Sequence, residues 1–199
     1  MKPDYNRELF SGFISKAMEL GLIPRIKTLL TIGERAPDFK IIEASRLGMK
    51  ITVLEPFKDN FQAIIDNPYI NQQNITDSWK FVCADIAQIL EPEVLKKAKL
   101  DQYGIVWWFH GIEHLDKEVG KKVLDVLVKN CKIIIMSMPN GLFPQTPEDV
   151  GGTNGLNPYE LHKSAWYEED FKDYNATVFA VGERDDKTSL DVFIKGDRY

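Results

Sequence analysis

The chain has 199 residues, 44% of them apolar and 28% charged, which fits one globular domain and excludes a disordered chain. Its net charge is −5, so it has no general electrostatic footprint for nucleic acid or for an anionic membrane. With 13 Gly and 10 Pro and no repeat or biased tract, it is neither collagen-like nor low-complexity. Cys83 and Cys131 each sit in an apolar run, too few for a disulfide framework or a zinc site, and are expected to be buried thiols. The start, Met1-Lys2-Pro3-Asp4-Tyr5, lacks the apolar core of a signal peptide. No apolar run approaches the roughly 18 residues of a membrane helix, so a cytoplasmic, membrane-free protein is expected.

Residues 1–24 read as an amphipathic helix, with Phe10, Phe13, Ile14, Ala17 and Met18 on one face, ended by Gly21 and Pro24. Ile26 to Ile32 is a short apolar run that stops at Gly33, the pattern of a strand buried on both faces. Pro37 suits a first helical turn, and Gly48 ends that second helix. A strand from Ile51 to Leu54 ends at Glu55, and Phe57 to Ile65 reads as helix. Asn67 to Ser78 is polar and irregular. Trp79 to Ala84 is a third strand, ending at Asp85, and Pro92 to Leu100 a short helix. Gly104 to Phe109 is a fourth strand, with His110 at its polar end. Lys117 to Asn130 is a helix with Val119, Val123, Leu124, Leu127 and Val128 on one face. Lys132 to Ser137 is a fifth strand, followed by Pro139-Asn140-Gly141. A long loop covers 139–163, a length that is usually functional. Ser164 to Phe171 reads as a short helix capped by Ser164, with Tyr167 on its apolar side. Ala176–Val181 and Ser189–Ile194, joined by a turn at Asp185-Asp186-Lys187, form an antiparallel hairpin.

Alternating strands and helices imply a single α/β domain over 1–199, with a mostly parallel sheet and helices on both faces. In such sheets ligands sit at the carboxyl ends of the strands. That rule selects Gly33, Glu55, Asp85, His110 and Asn140. Glu55 follows Gly33 by about 20 positions, the spacing of an acidic residue that accepts hydrogen bonds from both hydroxyls of a ribose. Asp85, at the next strand end, can accept from an exocyclic amine such as that of adenine. Singly, each is better explained as a helix cap or a solvated loop charge. In succession they describe an adenosine pocket.

The chain resembles the class I S-adenosylmethionine-dependent methyltransferases, in the branch that acts on small molecules and glycans among others. The resemblance runs from about Lys27 to Ile194. It is carried by Gly104-Ile105-Val106-Trp107-Trp108-Phe109-His110-Gly111-Ile112-Glu113-His114-Leu115, by Met138-Pro139-Asn140-Gly141, and by Asn157-Pro158-Tyr159-Glu160-Leu161-His162-Lys163-Ser164-Ala165-Trp166 followed by Glu169-Asp170-Phe171. It implies a Rossmann-like class I methyltransferase fold, a mostly parallel seven-stranded sheet with a C-terminal antiparallel hairpin. It implies S-adenosylmethionine as cofactor and a small-molecule or glycan-like acceptor. Glu55 would hold the ribose, Asp85 and Ile86 would face the adenine, and Gly33, Glu34, Pro56 and Phe109 would line the same pocket. One segment departs from the family. Its first loop usually carries an acidic residue and then Gly-x-Gly-x-Gly. Thr31-Ile32-Gly33-Glu34-Arg35-Ala36-Pro37 keeps only Gly33. Arg35 can block the methionine end of the cofactor, turn outward, or pair with a carboxylate.

Methyl transfer is an in-line displacement in which positioning dominates, and an oxygen or nitrogen nucleophile also needs a base. His110 is the candidate base by position, although a histidine there can also merely line the pocket. Glu113 and His114 read as residues that cap and orient the following helix, and His162 as solvent-exposed or substrate-facing. Trp107 and Trp108 point to opposite faces of their strand and read as core. The three histidines and two cysteines show no metal-ligand spacing, so no metal is expected. The eroded glycine loop keeps a rival open, a methyltransferase-like binding or scaffold protein without catalysis. A nicotinamide-dependent oxidoreductase lacks its own glycine pattern here, and a nucleic-acid methyltransferase is disfavoured by the charge.

Overall fold

The computed structural model describes residues 26–33, 44–45, 48–67, 79–143, 157–183 and 186–199. The expected N-terminal helix, Glu34 to Pro37 and the middle of the long loop lie outside the described residues. Seven strands form one sheet in the order β3-β2-β1-β4-β5-β7-β6. They are β1 (Thr28–Ile32), β2 (Lys50–Leu54), β3 (Trp79–Val82), β4 (Ile105–Phe109), β5 (Ile133–Pro139), β6 (Ala176–Glu183) and β7 (Asp186–Lys195). The first five pair in parallel, and β7 runs antiparallel between β5 and β6. The helices are α1 (Lys58–Ile65), α2 (Pro92–Ala98) and α3 (Lys117–Asn130).

β1 and β4 are adjacent although β2 and β3 lie between them in sequence, so the strand order reverses between them. Their carboxyl ends therefore open the crevice where such sheets bind ligands. Alternation along β4 sends Val106 and Trp108 to one face and Ile105, Trp107 and Phe109 to the other. Both tryptophans are buried, as expected of core residues. Trp108 joins a core with Val123, Leu124 and Leu127 of α3 and with Trp166. Trp107 joins Leu29, Ile51 and Ile135 on the opposite face.

Several expectations are corrected. Cys83 is exposed, because β3 is an edge strand and stops at Val82. Cys131 is buried, and desolvation pushes its thiol up to about 12, so it is inert. β5 runs on to Pro139, because β7 continues the ladder through Met138–Leu190 and Pro139–Ser189. β7 likewise begins at Asp186, which the sequence assigns to the turn. The helix expected from Ser164 is only a single 3-10 turn at Glu168–Phe171. The Ser164 hydroxyl instead accepts from the indole of Trp166 at 2.9 Å, and Tyr167 is exposed.

Candidate functional site

The first three strand ends are stitched side by side. Gly33 N donates to Leu54 O at 2.8 Å, and Glu55 N donates to Val82 O at 3.1 Å. Gly33 has φ +76, a left-handed conformation that suits glycine, and among the described residues no heavy atom lies within 4 Å of a Cβ built there. Glu55 is 3% exposed. Its Oε1 accepts from Phe57 N at 2.9 Å and from Asn60 Nδ2 at 3.4 Å, which fixes the carboxylate at the mouth of the crevice. Asp85 Oδ1 accepts from Ala87 N at 2.8 Å and so caps the 3-10 turn Ile86–Leu90. Ile86 is buried beneath it, Pro56 is half-buried beside Glu55, and the Phe109 ring lies 4.2 Å from that of Trp107. The structure thus brings Gly33, Glu55, Pro56, Asp85 and Ile86 to neighbouring strand ends. Phe109 ends β4 across the switch point, while Glu34 and Arg35 lie outside the described residues.

The end of β4 carries a second group. His110 is non-glycine backbone at φ +46, its N donates to Ser137 O at 2.8 Å, and its side chain is 55% exposed. Residues in this sparsely populated region cluster at functional sites. His110 Nδ1 lies 3.5 Å from Glu113 Oε1. Glu113 is 2% exposed, yet among the described residues neither of its carboxylate oxygens has a hydrogen-bond partner. Neither Glu113 nor His114 caps α3, whose N-cap position is Asp116, with no side-chain cap. They turn inward because the next segment closes over them. Glu113 O accepts from Lys163 N at 2.8 Å and from Ser164 N at 3.1 Å, which brings His162 against them. One ligand atom from each of Glu113, His114 and His162 lies within 4.8 Å of the others. His114 and His162 rings are 5.0 Å apart between centroids. Burial lowers the pKa of His114 below its ordinary value, outweighing the nearby Glu113 charge.

Trp166 supports this rim from below. It is fully buried and 5.7 Å from the Phe171 ring, and Lys117 Nζ lies 4.0 Å over it. Its carbonyl accepts from Gly141 N at 2.7 Å, which ties the root of the long loop to the same post. Lys117 donates to Ala165 O and to the Asp170 carboxylate. Burial pushes the Asp170 carboxyl up. The Lys117 hydrogen bond, Tyr167 N and the charges of Lys117 and Lys121 outweigh it and hold Asp170 below the usual range.

Two features escape sequence reading. Asp191 on β7, opposite Ser137, is 3% exposed, with no hydrogen-bond partner for either oxygen among the described residues. Alternation sets it on the face opposite Leu190, Val192 and Ile194, and only pairing with β5 buries it near the end of β4. His162 is far from His114 in sequence, so no local spacing marks them as neighbours.

No family model matches the chain, and no curated protein matches it in sequence. Solved structures do match. The methyltransferase domain of bacterial CtHen1-CN superposes with TM-score 0.64 at 13% identity, over 96% of this chain and 98% of that one. The N-terminal domain of EvdMO1, with SAH bound, gives TM-score 0.57 at 15% identity, over 92% and 80%. WbdD gives 0.58 at 17% identity, over 98% of this chain and 40% of its own; it is a bifunctional kinase-methyltransferase. The chain has the Rossmann-like fold of class I methyltransferase domains, with the C-terminal antiparallel hairpin expected of it. Among the described residues no helix is long and apolar enough to cross a membrane.

Proposed function

We propose that the protein transfers a methyl group from S-adenosylmethionine to a small-molecule or glycan-like acceptor. The observation that carries the reading is the pairing of Gly33 with Glu55. A left-handed glycine, with no heavy atom of the described residues within 4 Å of its Cβ position, lies one hydrogen-bonded step from a buried, anchored carboxylate. This is the cradle and the diol acceptor that a nucleoside needs at a switch point. A related fold crystallised with SAH supports it. The residues present fit the cofactor. Glu55 would hold the ribose hydroxyls, Asp85 and Ile86 the adenine, and Gly33, Glu34, Pro56 and Phe109 the walls. S-adenosylmethionine would supply an activated methyl on a sulfonium. His110, exposed at the end of β4, would take the proton from the attacking acceptor atom.

The non-catalytic reading rests on Arg35 and Pro37, which replace two glycines of the family loop. It expects an occluded cradle that binds neither S-adenosylmethionine nor SAH. Calorimetry and thermal melting with S-adenosylmethionine and SAH decide between them. Binding at 100 times Kd stabilises by about 2.7 kcal/mol. No heat and no rise in Tm at millimolar ligand would remove the enzyme reading. Mass spectrometry of small molecules retained through purification addresses the acceptor.

A further inference from the structure

We infer that Glu113, His114 and His162 form a binding site for a divalent first-row transition-metal ion on the rim at the end of β4. The first argument is charge. A carboxylate at 2% exposure with no hydrogen bond to either oxygen among the described residues is costly unless a cation sits beside it. His110 approaches only one of those oxygens, at 3.5 Å and from the solvent side. A metal ion would engage the carboxylate directly.

The second argument is the state of the two imidazoles. His114 Nδ1 lies 3.3 Å from Leu161 O, and His162 Nδ1 lies 2.8 Å from Phe143 O. A carbonyl oxygen only accepts, so a proton placed on each Nδ1 satisfies it and leaves the Nε2 lone pair for a ligand. Metal-ligating histidines are oriented by the same kind of carbonyl partner.

The third argument is distance. Donors about 2.1 Å from one ion are at most about 4.2 Å apart, so a cluster within 4.8 Å closes on an ion by small side-chain rotations. The backbone is already committed, because Lys163 N and Ser164 N both bond Glu113 O, and Ser164 is held by the buried Trp166.

Two imidazoles and one carboxylate suit Zn²⁺, Co²⁺ or Fe²⁺ better than Mg²⁺, which prefers oxygen donors. Three protein donors leave a position for water or for an oxygen of a bound molecule. The site stands whether or not the methyl donor binds. The test uses the full chain, stripped with a chelator and kept free of methyl donor. Co²⁺ is titrated by visible absorbance, and Zn²⁺ then competes. The expected result is one Co²⁺ per chain, displaced by Zn²⁺. His162→Ala and Glu113→Gln should each weaken binding about 100-fold or more. His162 is half-buried, so its truncation leaves a folded control even if the Glu113 variant unfolds. Absence of stoichiometric Co²⁺ binding overturns the site. So does His162→Ala with unchanged Co²⁺ affinity, or Mg²⁺ binding as tightly as Co²⁺. SAH calorimetry on the chelated protein reports separately on the methyltransferase reading.

Discussion

Glu55→Gln is the most informative single change. The carboxylate is 3% exposed, and its Oε1 accepts from Phe57 N and Asn60 Nδ2. Glutamine keeps the volume but turns one acceptor into a donor. A hydrogen bond to a charged group contributes about 1.5–3 kcal/mol, so losing one ribose contact should weaken SAH by about 10- to 150-fold. The same change disturbs the turn into α1. If the amide N–H faces Phe57 N or Asn60, a buried donor is left unpaired at a cost of about 1–3 kcal/mol. The two effects are separable. Calorimetry with SAH reads the binding loss on the folded protein, and urea unfolding without ligand reads the stability loss. If Glu55→Gln lowered stability yet bound SAH within threefold of the parent, Glu55 would be a structural anchor and the ribose assignment would be refuted.

Gly33→Ala should cost about 1 kcal/mol of stability because of its left-handed φ, and should lower SAH affinity further still, since the new Cβ enters the cradle; unchanged SAH binding by calorimetry would show that the cofactor does not approach Gly33. His110→Asn retains a side chain that tolerates positive φ but removes the base, so kcat should fall by about 10²–10⁴ with SAH affinity unchanged. A threefold or smaller change in kcat would leave His110 as a wall residue. Asp170 has a depressed folded pKa, so its contribution is present above its unfolded value of about 3.9 and is lost as pH falls through the folded one. Urea unfolding of the parent and Asp170→Asn should therefore differ at pH 7 and converge as the pH is lowered below that range; a difference persisting at pH 2 would assign the effect to packing.

The alternation of apolar runs was sufficient for the sheet because β1, β2, β4 and β5 are buried on both faces, so their sequences read without ambiguity. Gly33, Glu55 and Asp85 were legible because strand-end positions are fixed by the strands themselves. Cys83 misled because an apolar run near an edge strand looks like one in the interior. The short helix expected at Ser164 failed because Ser164 N is bonded to the distant Glu113 O and its hydroxyl accepts from the Trp166 indole. The inward turn of Glu113 and His114 was not legible at all. It follows from backbone bonds to Lys163 and Ser164, and local propensity carries no information about such long-range contacts.

The placement of β7 between β5 and β6 has a consequence for how the chain assembles. On the ribosome, β1 to β5 emerge first and can pair with one another. β5 then remains an open edge until residues 186–195 leave the exit tunnel. An exposed run of Ile133, Ile134, Ile135 and Met136 is the kind of edge that pairs with other chains. Closing it requires a contact of long sequence separation, which is slow to form. Chaperone dependence and aggregation in the nascent chain should therefore concentrate in the interval between synthesis of β5 and release of β7.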